Sequence, residues 1–159
     1  MQDKITGCEG TGIELNIFGI SRVKNCSKNL FADTLKIARK LKPGCRFVIN
    51  LILVDNSEIR ALKRVYHKKN INTDVISFAY NQKKPDGSKI LEGDIYVSFE
   101  QIEVQAPGFG NSFYKELLYV ITHGILHVLG YADYTRKERL RMFAEQDRVF
   151  NGLFKNKKW

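Results

Sequence analysis

Long hydrophobic runs are missing from this sequence. Nothing approaches the ~20 consecutive apolar residues of a membrane-spanning helix, and the longest apolar run, 47–54, is interrupted by Asn50. The opening MQDKITGCEG has neither the basic and apolar stretches of a secretory signal nor the Arg-rich, acid-poor pattern of a mitochondrial transit peptide. Cysteine is sparse. Cys8, Cys26 and Cys45 form an odd, scattered set without CxxC spacing. That is a poor disulfide framework, and it reads as reduced thiols in a cytosol. Repeats, low-complexity tracts and domain-separating linkers are also missing. The expectation is a single cytoplasmic domain over residues 1–159, with its core at 13–154 and a frayed C-terminal KNKKW.

Positive charge is what the chain has in excess, at a net +9. Residues 19–69 carry 13 Lys or Arg against 3 acids, and residues 135–159 carry 8 against 3. The segment between, 70–134, carries 4 against 8. Basic flanks thus bracket an acidic middle. Basic surfaces concentrate polyanions by releasing their counterions, so nucleic acid is the expected class of partner.

Alternation predicts strands over 13–20, 46–54, 74–80 and 93–99. Leu30, Phe31, Leu35, Ala38 and Leu41 share a helical face over 28–42, which Pro43-Gly44 stops. Asp55, Asn56 or Ser57 caps a helix to about Tyr66. Residues 81–88 form a turn and 105–111 a loop. A helix over 112–129 is apolar nearly all round, so it lies buried, and Gly130 can end it. Thr135 and Glu138 fit a capping box for a last helix to about Phe154. The order β-α-β-α-β-β-α-α predicts an α+β domain around a small mixed sheet.

Two of the three histidines, His123 and His127, sit one turn apart on the buried helix. That spacing suits two positions of one metal ion. After Gly130 the chain can turn back and bring in Asp133 as a third ligand. Three protein ligands leave one position open, the pattern of catalytic zinc. Hydrogen-bonded core histidines and a plain turn aspartate are the bland alternative. The residue after His123 is Gly124, so the glutamate of the metallopeptidase motif HExxH is missing. Glu116 lies too far along the helix axis to replace it.

The stretch HGILHVLGYADY resembles the signature HGxLHLxGYDH of the YbeY family of bacterial rRNA-maturation endoribonucleases. Residues 62–78 resemble its LNxxYRxxxxxTDVLSF segment, 93–97 its GDI strand, and Met142 with Glu145 the M…E pattern of its last helix. The resemblance covers about residues 47–154. It implies a zinc-dependent, single-strand-specific endoribonuclease acting on the 3′ end of 16S rRNA and in ribosome assembly. The implied metal ligands are His123, His127 and Asp133 around one Zn2+, and the implied partners are rRNA and the small ribosomal subunit or its proteins. Asp133 stands where the family usually has histidine, which substitutes a harder oxygen for nitrogen. His67 stands where the family has an arginine thought to hold RNA phosphate. His67 joins His123 as a candidate catalytic residue, with Arg64, Lys68 and Lys69 as candidate RNA contacts. A helix-end histidine is an equal reading of His67. Thr73 and Asp74 read as a structural turn, and Ser77 as a groove residue. The alternative function is a non-catalytic rRNA-binding assembly factor with a structural zinc.

Overall fold

Residues 3–9, 12–23, 27–41 and 44–159 are described by a computed structural model. The chain runs β1 (Lys4–Glu9), β2 (Ile13–Phe18), a 3-10 turn, α1 (Ser27–Leu41), β3 (Arg46–Val54) and α2 (Asn56–His67). It continues through β4 (Val75–Ala79), the short β5 (Gln82–Lys83), β6 (Lys89–Ser98), α3 (Phe99–Gln105), α4 (Phe113–Val128) and α5 (Arg136–Phe154). The fold is α+β, as expected. The sheet order is β1-β2-β3-β6-β4, with β5 paired to β6. β3 runs parallel to both neighbours, while β1, β4 and β5 pair antiparallel, so the sheet is mixed.

Period-two alternation decides which face each residue serves. Phe47, Ile49, Leu51 and Leu53 of β3 enter the main core with Ile13, Leu15, Ile17, Ile95 and Val97. Helices α1, α4 and α5 cover that face. The other face carries a smaller cluster of Val54, Ile59 and Ile76 beneath α2. Asn50, the interruption in the apolar run, falls on this second face. Its side-chain amide donates to Asp94 Oδ1 at 2.8 Å, and its oxygen accepts from Asn16 Nδ2 at 3.0 Å. A polar residue is thereby satisfied inside the sheet.

α2 starts with Asp55 as its cap, and Glu58 completes a capping box. Three strands or helices were not expected, β1, α3 and the two-residue β5, which falls inside the segment read as the 81–88 turn. β1 depends on cross-strand pairing with β2 rather than on its own alternation. α3 has seven residues and one buried apolar side chain, Ile102, too short for a 3.6-residue period to show. β2 ends at Phe18 because Gly19 takes a positive φ of 76°. β6 begins at Lys89 rather than at 93. Cys45 is a free, half-buried thiol. Cys26 and Pro43 lie outside the described residues, as does the side chain of Cys8.

The C-terminal KNKKW was expected to fray, but it is docked. Trp159 stacks on Phe150 with ring centroids 5.7 Å apart, and Lys157 pairs with Asp33. Asp33 is 2% exposed and also accepts from Tyr114 Oη at 2.8 Å and Lys36 Nζ at 3.0 Å. Burial pushes the Asp33 carboxyl up, but the hydrogen bonds from Lys157, Lys36 and Tyr114 outweigh it and hold its pKa below the ordinary value. A depressed carboxylate contributes stability at neutral pH that is lost as pH falls below the ordinary 3.8. Asp33→Asn is therefore expected to loosen the tail at neutral pH. The emission of Trp159, the one tryptophan of the chain, should shift to longer wavelength while far-UV circular dichroism is kept. The wild type should show that shift only in acid.

Candidate metal centre

Helix α4 is positioned by its two ends and one small residue. Ser112 caps the start by accepting from Lys115 N at 3.2 Å. Gly130 closes the end with φ 94°, a left-handed turn that glycine adopts without strain. Gly124, between the two histidines, lets the helix lie against the sheet. A Cβ there would come within 2.5 Å of Ile95 Cγ2 and 3.2 Å of Ser77 Oγ. Ser77 Oγ instead donates to the Gly124 carbonyl at 3.1 Å. Beyond the turn, Arg139 Nη1 donates to the carbonyls of Asp133 and Tyr134 at 3.1 and 3.2 Å. Thr135 then caps α5 with Glu138 in the expected box. Asp133 is thus fixed against α4 from both sides of its loop.

The three expected ligands converge. His123 Nε2 and His127 Nε2 are 3.1 Å apart, and Asp133 Oδ2 is 3.8 and 3.6 Å from them. Ligand atoms about 2 Å from one ion at tetrahedral angles lie about 3.3 Å from each other. All three ligand atoms fall within 4.8 Å of one another.

Hydrogen bonding behind the rings assigns their protons. Gln146 Nε2 donates to the Tyr119 carbonyl at 2.9 Å, which turns its Oε1 toward His123 Nδ1 at 3.0 Å. His127 Nδ1 lies 3.0 Å from the Tyr131 carbonyl. Both Nδ1 atoms face acceptors, so both carry the proton and both Nε2 atoms present a lone pair. Three acceptors then face one another with no donor between them. That arrangement is repulsive unless a cation occupies the centre, and the donor set fits a metal ion. Burial pushes the His127 pKa below its ordinary value, and neighbouring His123 adds to this against the pull of Asp133 and the Tyr131 carbonyl. The ring is therefore neutral near neutral pH and ready to bind metal.

Gln146 was not anticipated. Met142 and Glu145 carried the resemblance on this helix; Met142 is buried, but Glu145 pairs with Arg148 at 2.6 Å. Gln146, 1% exposed, is the residue of α5 that holds His123. Removing such a partner weakens metal binding by roughly 10- to 100-fold. Gln146→Leu should do so by competitive chelation, whereas Gln146→Glu, which keeps an acceptor oxygen toward His123, should retain most of the affinity.

The centre lies where two clefts meet, and His123, Asp133 and Asp74 line both. The first, ≈ 640 Å³, runs past Gln105, Glu116, Phe109 and Phe143. The second, ≈ 500 Å³, holds Lys63, His67, Thr73 and Ser77 beside all three ligands. His67, the last residue of α2, therefore faces the centre's cleft. Lys63, one turn earlier, joins it, although the sequence pointed to Arg64. Arg64, Lys68 and Lys69 are exposed and line neither cleft. Thr73 Oγ1 donates to the Val75 carbonyl at 3.3 Å, a turn contact as expected. Glu116 is buried, with its oxygens held by Gln105 Nε2 at 2.8 Å and Asn111 Nδ2 at 2.7 Å.

Known proteins share this framework. The family described as Endoribonuclease YbeY matches residues 19–153. An Endoribonuclease YbeY of Petrotoga mobilis is 38% identical over 92% of this chain and 99% of its own length. One from Endomicrobium trichonymphae is 38% identical over 77% of this chain and 81% of its own. The solution structure of TM1509 from Thermotoga maritima superposes with a TM-score of 0.59 at 29% identity, covering 90% of this chain and 89% of that one. The family match covers most of the chain, and the chain belongs to the Endoribonuclease YbeY family.

Proposed function

We propose that this protein is a metal-dependent endoribonuclease that cleaves single-stranded RNA. The single observation that carries the metal is the meeting of three acceptors, His123 Nε2, His127 Nε2 and Asp133 Oδ2, with no donor between them. Zinc fits two imidazoles and a carboxylate. When bound, such an ion supplies Lewis-acid polarisation of a phosphate oxygen and lowers the pKa of water. The chain's own residues bind and orient. Lys63 and His67 face the same cleft as the ligands and would hold the phosphates flanking the scissile bond. Arg64, Lys68 and Lys69, outside the cleft, would follow the RNA backbone without reading sequence. We place the protein in the cytoplasm, acting on the 3′ end of small-subunit rRNA during ribosome assembly.

Cleavage of a single-stranded oligoribonucleotide tests this reading. Activity should vanish on chelation and return with zinc, and His67→Ala should raise KM more than it lowers kcat. A purified protein that cleaves equally well after chelation and as His123→Ala contradicts it. One observation favours a non-catalytic assembly factor: the Glu116 carboxylate is tied to two amides rather than free to accept a proton. In that case His123→Ala unfolds the chain instead of silencing it.

A further inference from the structure

The two clefts that meet at the metal centre differ in chemistry. The second offers the ammonium of Lys63 and the imidazole of His67. The first presents Asp74, Glu116, Asp133 and Asp147 against one lysine, Lys115; Asp74 and Asp133 also line the second, but Glu116 and Asp147 belong to the first cleft and not to the second. A phosphate is repelled from such a pocket. Its mouth carries two aromatic rings that no core requires: Phe109 is 69% exposed and Phe143 is 43% exposed. Phe143 lies with its ring centroid 5.8 Å from that of His123, so this wall borders the candidate metal site.

The polar wall is ordered. The Gln105 side-chain amide donates both hydrogens, one to Asp74 Oδ2 at 3.0 Å and one to Glu116 Oε1 at 2.8 Å. With Glu116 also held by Asn111, the three side chains form one fixed unit. Asp74 Oδ1 keeps no partner among the described residues, and Asp74 lines both clefts. The side-chain oxygens of Gln105 and Asn111 are further acceptors. The pocket therefore combines flat apolar walls with a wall of acceptors.

We propose that this first cleft binds the unpaired nucleobase beside the scissile phosphodiester, and that it favours bases bearing an exocyclic amine over uracil. The proposal rests on the endoribonuclease reading. Exposed aromatic rings stack on any base. Adenine, cytosine and guanine each carry an amine that can donate to Asp74 Oδ1. Uracil has no exocyclic amine, and its one base donor, N3–H, is flanked by two carbonyl oxygens that the carboxylates repel. Asp74 is a specificity residue in this account, and the strand crosses the metal centre with base on one side and phosphates on the other.

Binding of short labelled oligo(A), oligo(C) and oligo(U) to the full chain tests this, measured on ice with the RNA recovered intact. Oligo(A) and oligo(C) should bind roughly tenfold more tightly than oligo(U), since one good hydrogen bond to a charged acceptor is worth about that factor. Asp74→Asn, which supplies a donor as well as an acceptor, should shrink the preference to about twofold. Phe143→Leu keeps apolar bulk but loses the ring face, and should weaken all three by about fivefold or more. Equal binding of the three RNAs, or unchanged binding in both variants, overturns the base site while leaving cleavage intact. A chain that shows the preference without cleaving RNA upholds the base site and removes the nuclease reading.

Discussion

Replacing His127 with alanine is expected to lower kcat/KM for RNA cleavage by at least about a thousandfold and to abolish tight zinc binding. The reason lies in the sign of the interactions around the ligand. In the metal-free chain, His127 Nε2 meets His123 Nε2 at 3.1 Å, lone pair against lone pair, with Asp133 Oδ2 at 3.6 Å. Its removal relieves that repulsion but also gives up the Nδ1 bond to the Tyr131 carbonyl, worth about 1 kcal/mol. The two effects oppose each other, so the variant should stay folded and melt close to the temperature of the metal-free wild type. The difference appears on adding zinc. A ligand at 100 times its Kd stabilises by about 2.7 kcal/mol, which for a chain of this size raises Tm by about 5–10 °C. The wild type should show that rise and the variant should not. A variant already unfolded without metal would assign His127 to the core instead.

The second large effect lies between the ligands. Gly124→Ala adds a methyl group 2.5 Å from Ile95 Cγ2, with Ser77 Oγ at 3.2 Å and Val75 Cγ2 at 3.3 Å. Alanine gains about 1 kcal/mol of helix propensity over glycine. Overpacking costs about 1–3 kcal/mol, and lifting the helix also loses the Ser77 bond to the Gly124 carbonyl, worth about 1 kcal/mol. Packing wins, and the denaturation midpoint should fall. The function should suffer more than the stability. His123 and His127 ride on α4, while Asp133 is fixed by its own loop and Arg139, so a shifted helix separates the two halves of the donor set. Zinc affinity should drop in parallel. A midpoint that rises would show that α4 does not need glycine to reach the sheet.

The sequence made the convergence of His123, His127 and Asp133 legible because its information is local. His123 and His127 share a helical face by spacing, Gly130 marks the turn, and Thr135 with Glu138 marks the next helix start. What supports those ligands was not legible. Gln146 reaches His123 across 23 positions of sequence, and Gln105 joins Asp74 to Glu116 over 31 and 11. A glutamine in a helix carries no local sign of its partner. Lys63 and Arg64 are equally basic on paper, and only the packing of α2 decides that Lys63 faces the cleft. The docking of Trp159 likewise depends on a surface built from α4 and α5, far from the tail in sequence. Short elements such as β1 and α3 exist through their neighbours rather than through their own pattern.

Anomalous diffraction at the zinc edge from crystals of the zinc-loaded protein tests the metal centre most directly. One ion per chain should appear about 2.0–2.2 Å from His123 Nε2, His127 Nε2 and an oxygen of Asp133. A chain that takes up no ion in excess zinc, or holds it on other side chains, contradicts the account.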